Sequence, residues 1–244
     1  MRFAVISDIH ANLPALREVF KDIFEREIEN IIVLGDIVGY GPYPLECIDT
    51  LLKAKKVKSL FVLKGNHDHY LCHGFDDPSE VIGEARVAIE WTSSILQEKD
   101  RTCKFLDALP DSLTLRVGPY TLYLVHGSPD QPLREYVTPN SISFASIVMF
   151  LQETGYDLCL VGHTHVPFFE TVKDPLKTRY IGNPGSVGQP RDKNPKASYM
   201  VLNLTKEEIS AEIIRVEYDI DMVKNKIRET GLPEMLAERL NFGI

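Results

Sequence analysis

The chain has 244 residues, 44% of them hydrophobic and 25% charged, which is enough apolar material for a substantial core. Its formal net charge is −8, so no broad basic face offers itself to phosphate chains, and long nucleic acid is not an expected partner. The first residues, Met-Arg-Phe-Ala-Val-Ile-Ser-Asp, lack a signal-peptide pattern, and no apolar run reaches the ~18 residues of a membrane span, so a cytoplasmic protein with no membrane partner is expected.

Phe3 to Ile6 reads as a buried strand that ends at Ser7-Asp8-Ile9-His10. Asn12 is a natural N-cap for the next helix, with Pro14 at its start and Leu16, Val19, Phe20, Ile23 and Phe24 on one face. A second strand, Ile31 to Leu34, ends at Gly35-Asp36. After the turn-rich Gly39-Tyr40-Gly41-Pro42, a helix carries Leu45, Ile48, Leu51 and Leu52. The third strand, Leu60 to Leu63, breaks at Gly65 and delivers Asn66, His67 and Asp68. Residues 69–113 form a helical insertion, with a long helix through Val81 to Leu96 and a shorter one from Cys103 to Leu109 that stops at Pro110. This insertion is a candidate lid or side wall.

Leu113 to Val117 and Tyr120 to Val125 flank Gly118-Pro119 as a hairpin whose second arm ends at His126-Gly127. A helix covers roughly 141–153. The strand Leu158 to Val161 ends at Gly162-His163-Thr164-His165. Two strands, Phe168 to Val172 and Arg179 to Gly182, lead to the loop carrying Gln189-Pro190-Arg191. Two more follow, Ser198 to Leu204 and Ile209 to Val216. The tail 219–244 is helical and broken at Gly231-Leu232-Pro233, with Val223, Ile227, Leu236 and Leu240 at apolar positions. The expected organisation is one domain over 1–244 carrying the insertion and the tail. The cysteines Cys47, Cys72, Cys103 and Cys159 show no CxxC spacing and are expected to be reduced thiols, with neither a disulfide framework nor a zinc knuckle.

Five strand-like runs therefore end in candidate ligands: Asp8 and His10, Asp36, Asn66 and His67, His126, and His163 with His165. Five of the seven histidines sit at these ends, where open α/β sheets bind ligands. In each Asp-x-His or His-x-His pair, alternate residues face the same way. Imidazoles and carboxylates with one amide and no thiolate suit Mn, Fe, Zn, Co or Ni. Seven ligands, Asp8, His10, Asp36, Asn66, His126, His163 and His165, exceed one tetrahedral site. Two divalent ions sharing Asp36 are the economical arrangement. Together with Asp8, Asp36 and a bridging hydroxide they leave about one positive charge facing an anionic ester, which suits in-line displacement at phosphorus. His67 can carry a proton near neutral pH, and Asp68 can hold its imidazole in one orientation.

The ordered set Asp8-x-His10, Gly35-Asp36, Gly65-Asn66-His67-Asp68, His126-Gly127 and Gly162-His163-x-His165 resembles the calcineurin-like metallophosphoesterases at every motif position. That resemblance implies an αββα sandwich of two mixed sheets with a binuclear centre at the strand ends. It implies Asp8, His10, Asp36 and His165 on one metal, and Asp36, Asn66, His126 and His163 on the other. It also implies that His67, supported by Asp68, protonates the leaving group after a metal-bridging hydroxide attacks phosphorus. Protein Ser/Thr phosphatases of this superfamily carry Gly-Asp-x-x-Asp-Arg-Gly, whereas here the run is Gly35-Asp36-Ile37-Val38-Gly39-Tyr40-Gly41. The missing Asp-Arg argues against a protein phosphatase and against the symmetrical dinucleoside tetraphosphatase sharing that motif. The chain is more similar to the compact prokaryotic phosphodiesterase-like branch, in its tail as well.

Arg191, Asn12 and Tyr40 are candidate substrate contacts, with Arg191 supplying the phosphate clamp that the Gly35–Gly41 run lacks. His69 and His73 are expected at the pocket rim or surface, and Trp91 in the core. The expected activity is hydrolysis of small, nucleotide-like phosphodiesters. A phosphomonoesterase or nucleotide pyrophosphohydrolase is the alternative within the enzyme class. A protein-interaction scaffold, as in the retromer subunit of this fold, is the alternative outside it, although such scaffolds tend to lose the imidazole that His67 provides. The tail is expected to be packing, with a homodimer interface as its other use.

Overall fold

A computed structural model describes residues 1–54, 57–75, 81–96, 99–173 and 177–244. The first sheet is built from β1 (Arg2–Ile6), β2 (Asn30–Val33), β3 (Ser59–Val62), β9 (Ala197–Leu204) and β10 (Ile209–Val216), in the order β10-β9-β1-β2-β3. The second contains β4 (Ser112–Val117), β5 (Tyr120–Val125), β6 (Leu158–Leu160), β7 (Phe168–Lys173) and β8 (Thr178–Asn183), in the order β4-β5-β6-β8-β7. Both sheets are mixed. In the first, β1, β2 and β3 run parallel and β9 and β10 antiparallel. In the second, β5, β6 and β8 run parallel between antiparallel edges.

The period-2 alternation of strand side chains makes this a four-layer structure. Phe3 and Val5 of β1 enter the core between the sheets, where they join Ile32, Leu122, Leu124, Leu158, Leu160, Met200 and Leu202. Their neighbours Ala4 and Ile6 face outward, onto Leu16, Val19 and Ile23 of α1 (Leu13–Glu25) and Ile48 and Leu51 of α2 (Pro44–Leu52). On the far side Val125, Cys159 and Ile181 pack against Ile147 and Leu151 of α6 (Ile142–Thr154). The expected αββα sandwich is thus formed, and the parallel strands of both sheets end at one edge.

Local signals place the helices. The Asn12 side chain accepts the Ala15 N–H at the start of α1, and Pro14 lies in its first turn. The Ser141 hydroxyl caps α6, and Gly155, with φ +75°, ends it.

The span between β3 and β4 departs from expectation in two ways. Its described residues hold three helices, α3 (Asn66–His73), α4 (Gly83–Ile95) and α5 (Lys99–Asp107), instead of two. Asn66, His67 and Asp68 form the first turn of α3, which no apolar periodicity announces; the helix starts because Asp68 reaches back to the Gly65 N–H at 3.0 Å. Second, Cys72 of α3 and Cys103 of α5 are joined by a disulfide, with Cα atoms 5.3 Å apart. The reading of four reduced thiols is therefore corrected. The partners are 31 residues apart, and helix packing rather than a local motif brings them together. The argument for a reducing compartment falls with it. Cys47 and Cys159 are free and buried.

The tail forms α7 (Ile220–Thr230), α8 (Glu234–Glu238) and a 3₁₀ turn at Arg239–Asn241. Val223, Ile227, Leu236 and Leu240 cluster with Ala88 of α4, and Tyr40 and Trp91 pack against them. No described helix is long and apolar enough to cross a membrane.

Candidate metal centre

Each ligand-type residue follows a parallel strand: Asp8 and His10 after β1, Asp36 after β2, Asn66 after β3, His126 after β5, and His163 and His165 after β6. The loops that carry them are tied to one another through backbone. Asp8 N–H donates to Gly35 O at 3.1 Å, His10 N–H to Asp36 O at 2.9 Å, and Gly162 N–H to His126 O at 2.8 Å. The turns are tight enough to force side-chain residues into left-handed backbone. Of the ten described non-glycine residues at positive φ, seven are here: Asp8, His10, Ala11, Asp36, Tyr40, His163 and His165. Such strain persists only where the surroundings over-determine it, and it concentrates at functional sites. Gly39 and Gly65 admit close approach: a Cβ on Gly39 would run into the His67 imidazole, and one on Gly65 into the Asp36 carboxylate.

The histidine tautomers follow from their outer partners. Nδ1 of His10 donates to Val38 O at 3.1 Å, Nδ1 of His165 to Gln189 O at 2.6 Å, and Nδ1 of His126 to Leu34 O at 2.7 Å. In His10 and His165 the Nε2 lone pair is thereby turned inward, as it is for imidazoles that ligate metal, and His126 aims the same nitrogen inward, where a cation would take the place of its proton. Inside, acceptors face acceptors. His10 Nε2 lies 3.0 Å from His165 Nε2, and Asp8 Oδ1 lies 3.3 Å from His165 Nε2 and 3.8 Å from His10 Nε2. Asp8 Oδ1 is fully buried with no hydrogen-bond partner. Asp36 Oδ2 sits 3.6 Å from His10 Nε2 and 3.4 Å from His126 Nε2, and the latter is 3.0 Å from Asn66 Oδ1. Converging lone pairs and an orphaned carboxylate oxygen are repulsive among themselves and complementary to a divalent cation, so these residues fit a metal.

Among the described residues, three groups have ligand atoms close enough to hold an ion: Asp8, His10 and His165; Asp36, His126 and His163; and His10, Asp36 and His67. Asp36 joins the second group to the third, and its Oδ2 faces both His10 and His126.

The charge balance points the same way. Burial disfavours the Asp36 carboxylate, but the facing imidazoles, protonated His126 foremost, outweigh it and hold the group well below the usual range. Burial pushes His163 down to about 3 and His67 to about 4, and it lowers His10 and His165, leaving these four imidazoles neutral near pH 7. Burial also opposes a charge on His126, yet Asp36 and then Asp8 push it up to about 9. Among the side chains alone, a proton on His126 offsets the two carboxylates, which is a role that a bound cation takes over.

The remaining site expectations divide. His67 lines the cavity in front of the cluster, and its backbone N–H donates to Asp36 Oδ1 at 2.8 Å. Asp68 does not hold its imidazole. Asp68 Oδ1 accepts the Ile37 and Val38 N–H groups and Oδ2 accepts Gly65 N–H, while His67 Nδ1 is buried without a partner. The assigned support is corrected: Asp68 is a backbone clasp between β2 and α3. Asn12 is likewise withdrawn from substrate. Its amide donates to Gly188 O at 2.9 Å and caps α1, and it lies behind His10, outside the main cavity. Tyr40 and Arg191 do line that cavity. His69 and His73 stack on each other outside it, and His73 pairs with Asp107.

The cavity encloses about 260 Å³, with the polar cluster as its floor. Its walls include residues not anticipated from the sequence: Tyr70, Val81, Ile82 and Ala85 from the insertion, and Leu133, Arg134 and Tyr136 from the connection after His126. The Tyr136 ring stacks on His163 at 4.1 Å between centroids. A signal for the latter three existed. The stretch 126–141 is longer than most structureless connections, and such loops are commonly functional.

The fold and the cluster together define a class: a two-sheet sandwich with a metal-type centre where its parallel strands end. Residues 1–207 match the calcineurin-like phosphoesterase superfamily domain, and the chain belongs to that superfamily. An uncharacterized protein of Methanocaldococcus jannaschii is 38% identical over 253 residues, spanning 98% of this chain and 97% of the relative. A phosphodiesterase of the same organism is 24% identical over 189 residues, covering 76% of this chain and 83% of its own. Among solved structures, a metallophosphoesterase from Sphaerobacter thermophilus aligns over 100% of both chains, with a TM-score of 0.75 and 36% identity.

Proposed function

We propose that this protein is a hydrolase of phosphoric esters that works with two divalent metal ions, acting on small, nucleotide-like phosphodiesters. The observation that carries the reading is the buried ring of inward-facing acceptors, with Asp8 Oδ1 left without a partner. Asp8, His10 and His165 would hold one ion, Asn66, His126 and His163 the other, and Asp36 would touch both. When bound, such ions neutralise phosphoryl charge and lower the pKa of a water molecule. The chain's own residues do the rest. The backbone-tethered imidazoles fix the ligand geometry, and the cavity in front of them receives the ester. His67, at the cavity side and outside both assigned ligand sets, is neutral near pH 7 in the free protein and would carry a proton to the departing oxygen once the anionic ester bound beside it raises its pKa.

The diester preference is supported by the relative named as a phosphodiesterase, and a cavity of about 260 Å³ has room for a small ester. Phosphomonoesters and nucleotide pyrophosphates are the competing substrates. The natural metals are drawn from Mn, Fe, Zn, Ni and Co. A reading as a pure scaffold predicts no turnover. The test is elemental analysis of protein purified without chelator, followed by a screen of cyclic nucleotides, dinucleotides and phosphomonoesters in several metals. About two ions per chain and metal-dependent diester hydrolysis are expected. One ion per chain after reconstitution, or no turnover with any metal, overturns the reading.

A further inference from the structure

The tail α7–α8 lies beyond residue 207, where the match to the superfamily domain ends, yet it packs directly behind the cavity. Val223, Ile227, Leu236 and Leu240 face His10, Tyr40, Gly188 and Gln189 across a gap of only about 10 Å³, the size at which a single water barely fits. Tyr40 is the side chain shared between that seam and the substrate cavity. Its ring meets His67 at 4.5 Å and His10 at 4.6 Å between centroids. Its hydroxyl accepts a hydrogen bond from Arg191 Nη2 at 3.1 Å, and the same nitrogen donates to Gln189 Oε1 at 3.1 Å. Gln189 in turn accepts from His165 Nδ1 through its carbonyl. Arg191 keeps a buried Nε–H with no partner in the protein. Arg239, from the tail, brings a second positive charge near Arg191 and Tyr40, and burial followed by Arg191 lowers its pKa.

We propose that Tyr40 is a positioning residue through which the C-terminal helices set the substrate-facing side of the centre, its ring bracing His67 and its hydroxyl aiming the Arg191 guanidinium at a phosphoryl group. This rests on the phosphoesterase reading. The apolar tail fixes where the phenol stands. The phenol and Gln189 occupy Nη2 of Arg191 and restrict its rotamers, so the guanidinium that lines the cavity meets an anion already oriented. A guanidinium on a flexible stem loses entropy on binding, and pre-orienting it removes part of that cost.

The test is calorimetric binding of inorganic phosphate to protein reconstituted with Mn²⁺, with metal content measured in parallel. Tyr40→Phe should weaken phosphate about tenfold, the scale of one hydrogen bond to a charged group, and retain its metal. Leu240→Ala should weaken it about threefold; Val223→Ala is the substitute if that variant folds poorly. Neither change should cost anything further once Arg191 is alanine, and Leu240→Ala should cost nothing further on top of Tyr40→Phe. The inference is overturned if Tyr40→Phe binds phosphate as the parent does. It is also overturned if its effect persists undiminished without Arg191, or if the tail variants lose thermal stability but no phosphate affinity. A parent that turns over esters but gives identical variants defeats this inference alone. A metal-loaded parent that neither binds phosphate nor turns over esters overturns the phosphoesterase reading and this inference with it.

Discussion

The strand-end loops and the insertion between β3 and β4 meet at the same cavity and are built in opposite ways. Asp8, Asp36, His126 and His165 are essentially inaccessible to solvent, and their loops are cross-tied through backbone hydrogen bonds and held in left-handed backbone. The insertion presents apolar surface, with Ile82 74% exposed beside the cavity; Leu71, Leu96 and Leu106 anchor it in the main core, Ala88 packs on the tail, and Tyr70, Val81 and Ile89 form a small cluster of their own beside the Cys72–Cys103 disulfide. The geometry of the candidate centre is thus fixed by the sandwich, while the cavity wall beyond it is an added packing unit with exposed apolar surface. Perturbing the first should abolish chemistry, and perturbing the second should change what is accepted.

Asp36→Asn is expected to have the largest effect. It removes the negative charge between the two ligand groups while leaving an oxygen for the His67 N–H to reach. Both ions should weaken together and turnover should fall to background, as metal titration and ester hydrolysis would record. Loss of one ion with the other retained would mean that the carboxylate serves a single site.

His67→Ala separates chemistry from ligation within the rigid half. One ligand-type group contains His67 with His10 and Asp36, so a metal role competes with the acid role. If His67 donates a proton, the variant keeps its metal and loses ~10²–10⁴-fold on an alkyl or nucleoside diester. It should lose far less on bis-nitrophenyl phosphate, whose leaving group needs little protonation. Equal losses on both esters would instead assign His67 to holding phosphate, and loss of metal would assign it to ligation. His126→Ala should lose metal and fail on both.

The next effect is electrostatic and belongs to the metal-free protein, prepared with chelator. His126 holds its proton to about pH 9, whereas the unfolded chain releases it near 6.5. The stabilisation is complete below 6.5, declines as pH rises through that window, and is gone above about 9. The difference is of the order of a few kcal/mol. His163 and His67, pushed down to about 3 and 4, act on the other side: below pH 6.5 the unfolded chain binds protons that the folded one refuses, and stability falls with pH. Metal-free protein should therefore melt highest near pH 6.5. Metal binding at pH 7.5 should release a proton from His126, seen as a binding enthalpy that changes with the buffer's ionisation enthalpy. Identical enthalpies in two such buffers would count against that proton.

The two regions also differ in how far the sequence discloses them. All ten strands of the described residues, and the Asp, Asn and His side chains gathered at their ends, were legible, because short apolar runs ending in Asp, Asn or His combine two independent signals, periodicity and residue type. The partner of Asp68 was not, since neighbours in sequence at a helix start point apart, and its oxygens find backbone amides from another loop. Asn12 was legible as a cap, and that role occupies its oxygen while its NH2 donates to Gly188 O. The insertion was legible as helical but not in detail. Helix α3 has no apolar face to announce it, and the disulfide and the Tyr70, Val81 and Ile82 wall exist only once three helices pack. Tyr136 was invisible for a related reason: a lone aromatic in a loop has no period, and its stack on His163 is purely tertiary.

The smallest expected effect on chemistry, and the sharpest test of separability, lies in Cys72→Ser combined with Cys103→Ser. A cross-link spanning 31 residues is worth about 3–4 kcal/mol by chain entropy, and that loss should be felt where the loop lies. Hydrogen exchange should quicken in α4 and α5, while metal content and turnover of a small nitrophenyl ester stay near the parent's. Preference for a cyclic dinucleotide over a long single strand should fall a few-fold as the wall loosens, and efficient cleavage of the long strand by the parent itself would already refute a selective wall. Helix α3 makes the outcome informative, because it belongs to both regions. Its first turn supplies Asn66 and His67, and its last turn carries Cys72. The first turn is pinned independently, by Asp68 on the Gly65, Ile37 and Val38 amides and by Asp36 on the His67 amide. If those bonds suffice, losing the disulfide frays α3 from its C-terminal end and stops short of the ligands. If metal is lost as well, the insertion is part of the centre's scaffold, and chemistry and selectivity are not separable in this protein.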